Sequence, residues 1–132
     1  MHKIKIQGEI MKKIIAIALL ALPMCAAADH LDVIDFKLKE GCDFAKMMQI
    51  TKDFNAQWGA NYGYHAEVAV PLQSSDLESM RWLGRSKDAA TFGKAWDVWR
   101  AESADPTTVA GKLNARFNEC ANNTARRGFD VY

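Results

Sequence analysis

The feature that most constrains this chain is how its apolar spacing changes, from every second residue to helical spacing and back again. Residues 32–39 alternate, with Ile34, Phe36 and Leu38 on one face and Asp35, Lys37 and Lys39 on the other. That spacing predicts a half-buried strand. Glu40-Gly41-Cys42 ends it, Asp43 is placed to cap a helix, and Phe44, Met47, Met48, Thr51, Phe54 and Trp58 follow as one helical stripe. Gly59 and Gly63 mark the exit. Residues 64–72 alternate again, Tyr64, Ala66, Val68, Val70 and Leu72 opposing His65, Glu67 and Ala69, with Pro71 suited to a strand end. Residues 80–85 predict a short third strand. Ser86 or Asp88 then caps a helix striped by Ala89, Phe92, Trp96 and Trp99. Asp105-Pro106 opens a further helical piece, with Pro in the first helical position and Val109, Leu113, Phe117 and Cys120 on its buried side. Asn122-Asn123 predicts a turn. Residues 125–132 predict a last strand, with Arg127, Phe129 and Val131 on one face.

Strand, helix, strand, strand, helix in two pieces, strand is the ferredoxin-like βαββαβ order. The expected fold class is therefore α+β: a four-stranded antiparallel sheet in the order 4-1-3-2, with helices on one face. This order makes a statement about the cysteines. The first and last strands are neighbours and run antiparallel, so the end of the first lies beside the start of the last. Cys42 follows the first strand and Cys120 precedes the last, so the topology predicts a Cys42–Cys120 disulfide.

The amino terminus reads as an address. Lys12 and Lys13 precede an unbroken apolar run from Ile14 to Met24, and Ala26-Ala27-Ala28 follows. A basic start, a short apolar middle and small residues at the end make a signal peptide over residues 1–28, cut after Ala28. Met11 followed by two lysines is the more usual start, which leaves residues 1–10 as an upstream extension or tag remnant. The run is short for a retained membrane anchor, which needs about 20 apolar residues, so no membrane span is expected after signal removal. Leu22-Pro23-Met24-Cys25 loosely fits lipidation of Cys25, although Pro23 and Met24 suit such a site badly. The expectation is a periplasmic or secreted protein with one domain over residues 29–132, no linker and no repeat. Export favours an oxidised pair of cysteines. Removing residues 1–28 takes four lysines and one glutamate and turns the formal charge from +1 to −2. Neither value suits a nucleic-acid binder.

Three further runs carry a resemblance: Tyr64-His65-Ala66-Glu67-Val68-Ala69-Val70-Pro71, Arg81-Trp82-Leu83-Gly84, and residues 90–99 from Ala90 through Trp96 to Trp99. Together they look like uncharacterised exported bacterial proteins that resemble the dimeric α/β-barrel superfamily. The resemblance implies a homodimer in which two sheets pair through their open faces. The superfamily includes cofactor-independent monooxygenases, haem-degrading enzymes, chlorite dismutase-like proteins and stress-response barrels, and fold does not choose among them.

Candidate site residues follow from the predicted open face, which carries Asp35, Lys37, Lys39, His65, Glu67, Arg81 and Arg85. In a monomer this is the wet side of the sheet; in a face-to-face dimer it lines a barrel. His65 and Glu67, two residues apart on one strand, form a base with an orienting carboxylate, and Arg81 completes the weak catalytic set. Asp35, Lys37, His65, Glu67 and Trp82 are the binding candidates for a small-molecule ligand. A metal site needs three or four ligands and the export product keeps only His30 besides His65, so neither metal nor cofactor is expected. Trp58, Trp96 and Trp99 sit in helix stripes and read as core, while Trp82 stands in a strand between Arg81 and Arg85, within reach of a cation–π contact. No P-loop, dinucleotide glycine motif or nucleophile elbow is present. Two classes remain: a binding or interaction protein, and a cofactor-independent monooxygenase-like enzyme with a polar pocket on the open face.

Overall fold

The structure, a computed structural model, describes residues 28–132. The expected signal peptide, with the extension over residues 1–10 and Cys25, lies outside the described residues except for Ala28. Strands β1 (Asp29–Leu38), β2 (His65–Ala69), β3 (Met80–Ser86) and β4 (Ala121–Val131) form one antiparallel sheet in the order β2-β3-β1-β4. This is the expected order read from the other edge. Helices α1 (Phe44–Phe54), α2 (Ala60–Tyr62), α3 (Ala89–Glu102) and α4 (Val109–Cys120) accompany it, and a wide π-helical turn over Asn55–Gly59 joins α1 to α2. The fold is α+β and ferredoxin-like. The core lies between the sheet and the helices, built on Phe36, Met47, Ile50, Phe54, Trp82, Leu113 and Cys120.

Each long helix starts at a side-chain cap that satisfies an orphan amide and is worth about 1 kcal/mol. Asp43 accepts from the Lys46 amide at 2.8 Å, Asp88 from Thr91 at 2.7 Å and Thr108 from Gly111 at 2.9 Å. Cys42 and Cys120 are joined as a disulfide, their Cα atoms 5.2 Å apart. The Lys39 amide donates to the Cys120 carbonyl at 2.9 Å, so the bridge and the first rung of the β1–β4 ladder close the same corner.

The structure moves several boundaries. The first helical stripe is interrupted by the π-helical turn, and Phe44 at its start is exposed rather than buried. β2 ends at Ala69 and leaves Val70 and Leu72 in solvent, because Pro71 has no N–H to continue a ladder. α4 begins at Val109 rather than at Pro106. The Asp105 carboxylate takes both the amide and the hydroxyl of Thr107 in a tight turn, at 2.9 and 2.7 Å, and the helix waits for Thr108. Asn122 and Asn123 are strand, not turn: α4 runs directly into β4, whose Ala121 pairs with Leu38.

Candidate functional site

Strand parity decides what faces the helices. On β1 that side carries Asp32 with Ile34, Phe36 and Leu38; on β3 it carries Trp82, Gly84 and Ser86, and on β4 Arg126, Gly128 and Asp130. A bulge in β4 leaves Thr124 unpaired between the rungs Asp35↔Ala125 and Phe36↔Asn123. Without the extra residue, Asn123 and Arg126 would point to opposite faces. With it, both point to the helix side.

Between that side of the sheet and helices α1, α3 and α4 lies a cavity of about 270 Å³. Phe54, Trp58, Tyr64, Trp82, Phe92, Trp96, Trp99 and Phe117 form its aromatic walls, and Asn114, Asn123 and Arg126 are its polar lining residues at the β4 and α4 side. The rings meet mostly edge to face, Trp58 with Trp99 and Phe54 with Trp82 both at 5.0 Å between centroids, the arrangement that aromatic quadrupoles favour. The π-helical turn supplies part of this geometry. It carries Trp58 to the cavity wall. It also sets Asn55 against the outer edge of β2, where its amide donates to the Ala66 carbonyl and accepts from the Ala66 N–H, both at 2.8 Å. One side chain thus covers a strand edge. Trp58 is 3% exposed and its indole N–H has no acceptor among the described residues. Burying such a donor unmet costs about 1–3 kcal/mol.

Beneath the cavity runs a polar chain. Asp32 is 2% exposed. Its carboxylate accepts from Arg126 through Nε at 2.8 Å and Nη2 at 2.7 Å, and from the Tyr64 hydroxyl at 2.8 Å. Tyr64 in turn accepts from Trp82 Nε1 at 3.0 Å. Three buried side chains, from β1, β3 and the residue before β2, are therefore linked to the partly exposed Arg126 of β4 in one network. Burial, then the Asp32 charge, holds the Tyr64 phenol well above its ordinary value, so it remains a neutral donor. Gly84 makes the arrangement fit: a Cβ there would lie 1.7 Å from the Tyr64 hydroxyl. The Arg126 guanidinium lies over the Trp96 ring, 3.9 Å from its centroid.

The residues singled out from sequence divide between the two faces. Trp82 faces the helices and lines the cavity; the cation–π partner in this molecule is Arg126 with Trp96, not Arg81 or Arg85 with Trp82. Asp35, Lys37, His65, Glu67 and Arg81 lie on the open face. There Asp35 bridges Arg81, at 3.1 Å, and Arg127. Lys37 reaches Asp76 at 3.3 Å and Glu78 at 3.6 Å in the β2–β3 connection, and the hydrogen bond and charge of Asp76 raise its pKa. His65 pairs in register with Arg85 and Glu67 with Leu83, and no hydrogen bond joins His65 to Glu67 among the described residues. The open face is also less polar than expected, because Leu31, Val33, Leu83, Phe129 and Val131 cross it beside the charges, Phe129 being 48% exposed. No three His, Cys, Asp or Glu side chains among the described residues converge to hold a metal ion.

Sequence reasoning missed Asp32, Tyr64 and Arg126 as a unit. The signal was partial: Asp32 has the parity of Ile34 and Phe36, and a carboxylate on that buried face requires a partner, whereas Arg126 has the opposite parity to the apolar Phe129 and Val131 and reads from sequence as solvent-facing.

No family profile matches the sequence, and no curated protein matches it. The fold is shared with solved structures. SnoaB, a cofactor-independent oxygenase from Streptomyces nogalater, superimposes with a TM-score of 0.51 at 13% identity over 80% of this chain and 95% of that one. A dimeric protein of unknown function and ferredoxin-like fold from Bacteroides fragilis gives 0.46 at 9% identity, over 78% and 96% of the two chains. At these identities the likeness is one of fold.

Proposed function

We propose that this chain is an exported, periplasmic or secreted, small-molecule-binding protein that holds a flat aromatic ligand in the cavity between its sheet and its helices, and that it works as a homodimer. The observation that carries the reading is the cavity itself. It is a half-open cleft, walled by eight aromatic side chains and edged by a few polar groups, the composition of a ligand site rather than of a packing flaw. A cavity of about 150 Å³ already accepts benzene; this one is about 270 Å³ and suits a larger ring system. Leu31, Leu83, Phe129 and Val131 support pairing through the open face, since an exposed apolar band marks an interaction surface. The signal-peptide pattern and the Cys42–Cys120 bridge support export.

The test is tryptophan fluorescence with a panel of fused-ring aromatics. Saturable quenching and a raised melting temperature are expected, both lost in Ala95→Leu, which fills the cavity from α3. Absence of any response across the panel overturns the reading.

A second reading is a cofactor-independent oxygenase, favoured by the fold shared with SnoaB. In it His65, Glu67 and Arg81 line a polar substrate pocket on the open sheet face, closed by the dimer. Oxygen consumption by purified protein with a quenching ligand, without added cofactor, distinguishes it from simple binding.

A further inference from the structure

We propose that the ligand of the aromatic cavity is an anion, with its carboxylate or phenolate seated end-on against Arg126. This deepens the binding reading above and rests on it. Arg126 is the one charged residue among the described residues that line the cavity. A guanidinium offers two forked edges. The edge formed by Nε and Nη2 is taken by Asp32, and the ring of Trp96 covers one face. The other edge remains: Nη1 has no partner among the described residues, and Nη2 keeps a second N–H. That edge is rigid, because the aspartate and the indole hold the plane from two sides, and a planar fork matches a carboxylate.

Asp32 does not line the cavity. It sits behind Arg126 with its charge shared among three donors, so an approaching anion meets the cation first. Asn123 and Asn114 flank the same side. Asn123 makes no side-chain hydrogen bond among the described residues. Asn114 spends its amide on the Ser103 carbonyl at 3.2 Å, so its own carbonyl oxygen stands beside the site as an acceptor and suits a ligand hydroxyl next to the anion. The aromatic body of such a ligand then lies among Trp58, Trp96 and Trp99. A hydroxylated aromatic carboxylate of about two fused rings meets every one of these groups.

The experiment compares three probes of one shape: naphthoate, naphthylmethanol and naphthylmethylamine, titrated by tryptophan fluorescence. Naphthoate is expected to bind at least about tenfold more tightly than the alcohol, the scale of one charge-assisted hydrogen-bond pair, and the amine most weakly. In the paired variant Asp32→Asn with Arg126→Gln, which strands no buried charge, the carboxylate preference should vanish while the alcohol still binds. Asn123→Ala, which spares the Asp32–Arg126 pair, should weaken naphthoate about threefold and leave the alcohol unchanged; it decides the question if the paired variant fails to fold. Equal binding of naphthoate and alcohol, or a preference that survives both variants, overturns the assignment of charge while leaving the cavity reading intact. No binding of any probe overturns both.

Discussion

Gly84→Ala is the sharpest perturbation of the site, although it adds a single methyl group in the middle of a strand. The new Cβ would lie 1.7 Å from the Tyr64 hydroxyl oxygen and 1.9 Å from Cζ. The phenol must retreat by about that distance again to reach ordinary contact. A retreat of that size breaks the 2.8 Å bond to Asp32 and the 3.0 Å bond from Trp82 together. Overpacking alone costs about 1–3 kcal/mol. The charge-assisted bond adds about 1.5–3 kcal/mol, and the stranded Trp82 N–H about 1–3 kcal/mol. The expected loss is therefore roughly 3.5–9 kcal/mol, much of the 5–15 kcal/mol that holds a domain together. Urea unfolding followed by tryptophan fluorescence measures it, and Gly93→Ala, where a Cβ meets nothing within 4 Å, serves as control and should leave stability unchanged or slightly raised. A Gly84→Ala loss below about 1 kcal/mol, with fluorescence unchanged, would refute the claim that Tyr64 and Gly84 form one fitted unit.

Other perturbations test the rest of the molecule. Replacing Cys42 and Cys120 by alanine should lower stability by about 4 kcal/mol on the loop-entropy account, given a sequence separation of 78 residues; thermal unfolding with and without reductant checks it. Because the folded Tyr64 phenol titrates above its unfolded value, its contribution is complete below about pH 10 and is lost as pH rises beyond that. Alkaline unfolding should accordingly be steeper in the parent than in Tyr64→Phe. Asp76 is held down to about 2, first by the Ser79 hydroxyl and then by backbone amides. Its hold on the β2–β3 connection is present above about pH 4 and fades as pH falls toward 2, which amide exchange in residues 74–79 should register. Phe129→Glu places a charge in the apolar band of the open face and should convert a dimer to monomer in analytical ultracentrifugation without lowering the melting temperature of the monomer.

Much of this protein is legible in its sequence. Alternation and helical stripes are local consequences of where a backbone points its side chains, so the element order, the sheet order and the proximity of Cys42 to Cys120 all followed from spacing. Turn chemistry and strand ends were less legible, because Pro71 and the Asp105–Thr107 turn act through hydrogen bonds that compete with the pattern. The site lay furthest from view. His65 and Glu67 stood out because two functional residue types share a strand face, yet no hydrogen bond joins them among the described residues. Asp32, Tyr64, Trp82 and Arg126 come from four separate stretches of sequence and meet only through the sheet. The bulge at Thr124 then turns Arg126 and Asn123 to one side, and the π-helical turn at Asn55 brings Trp58 to the wall of the same cavity. Periodicity reports which face a residue occupies. Only packing decides which residues on that face touch, because hydrogen bonds and ring contacts depend on register between segments distant in the chain.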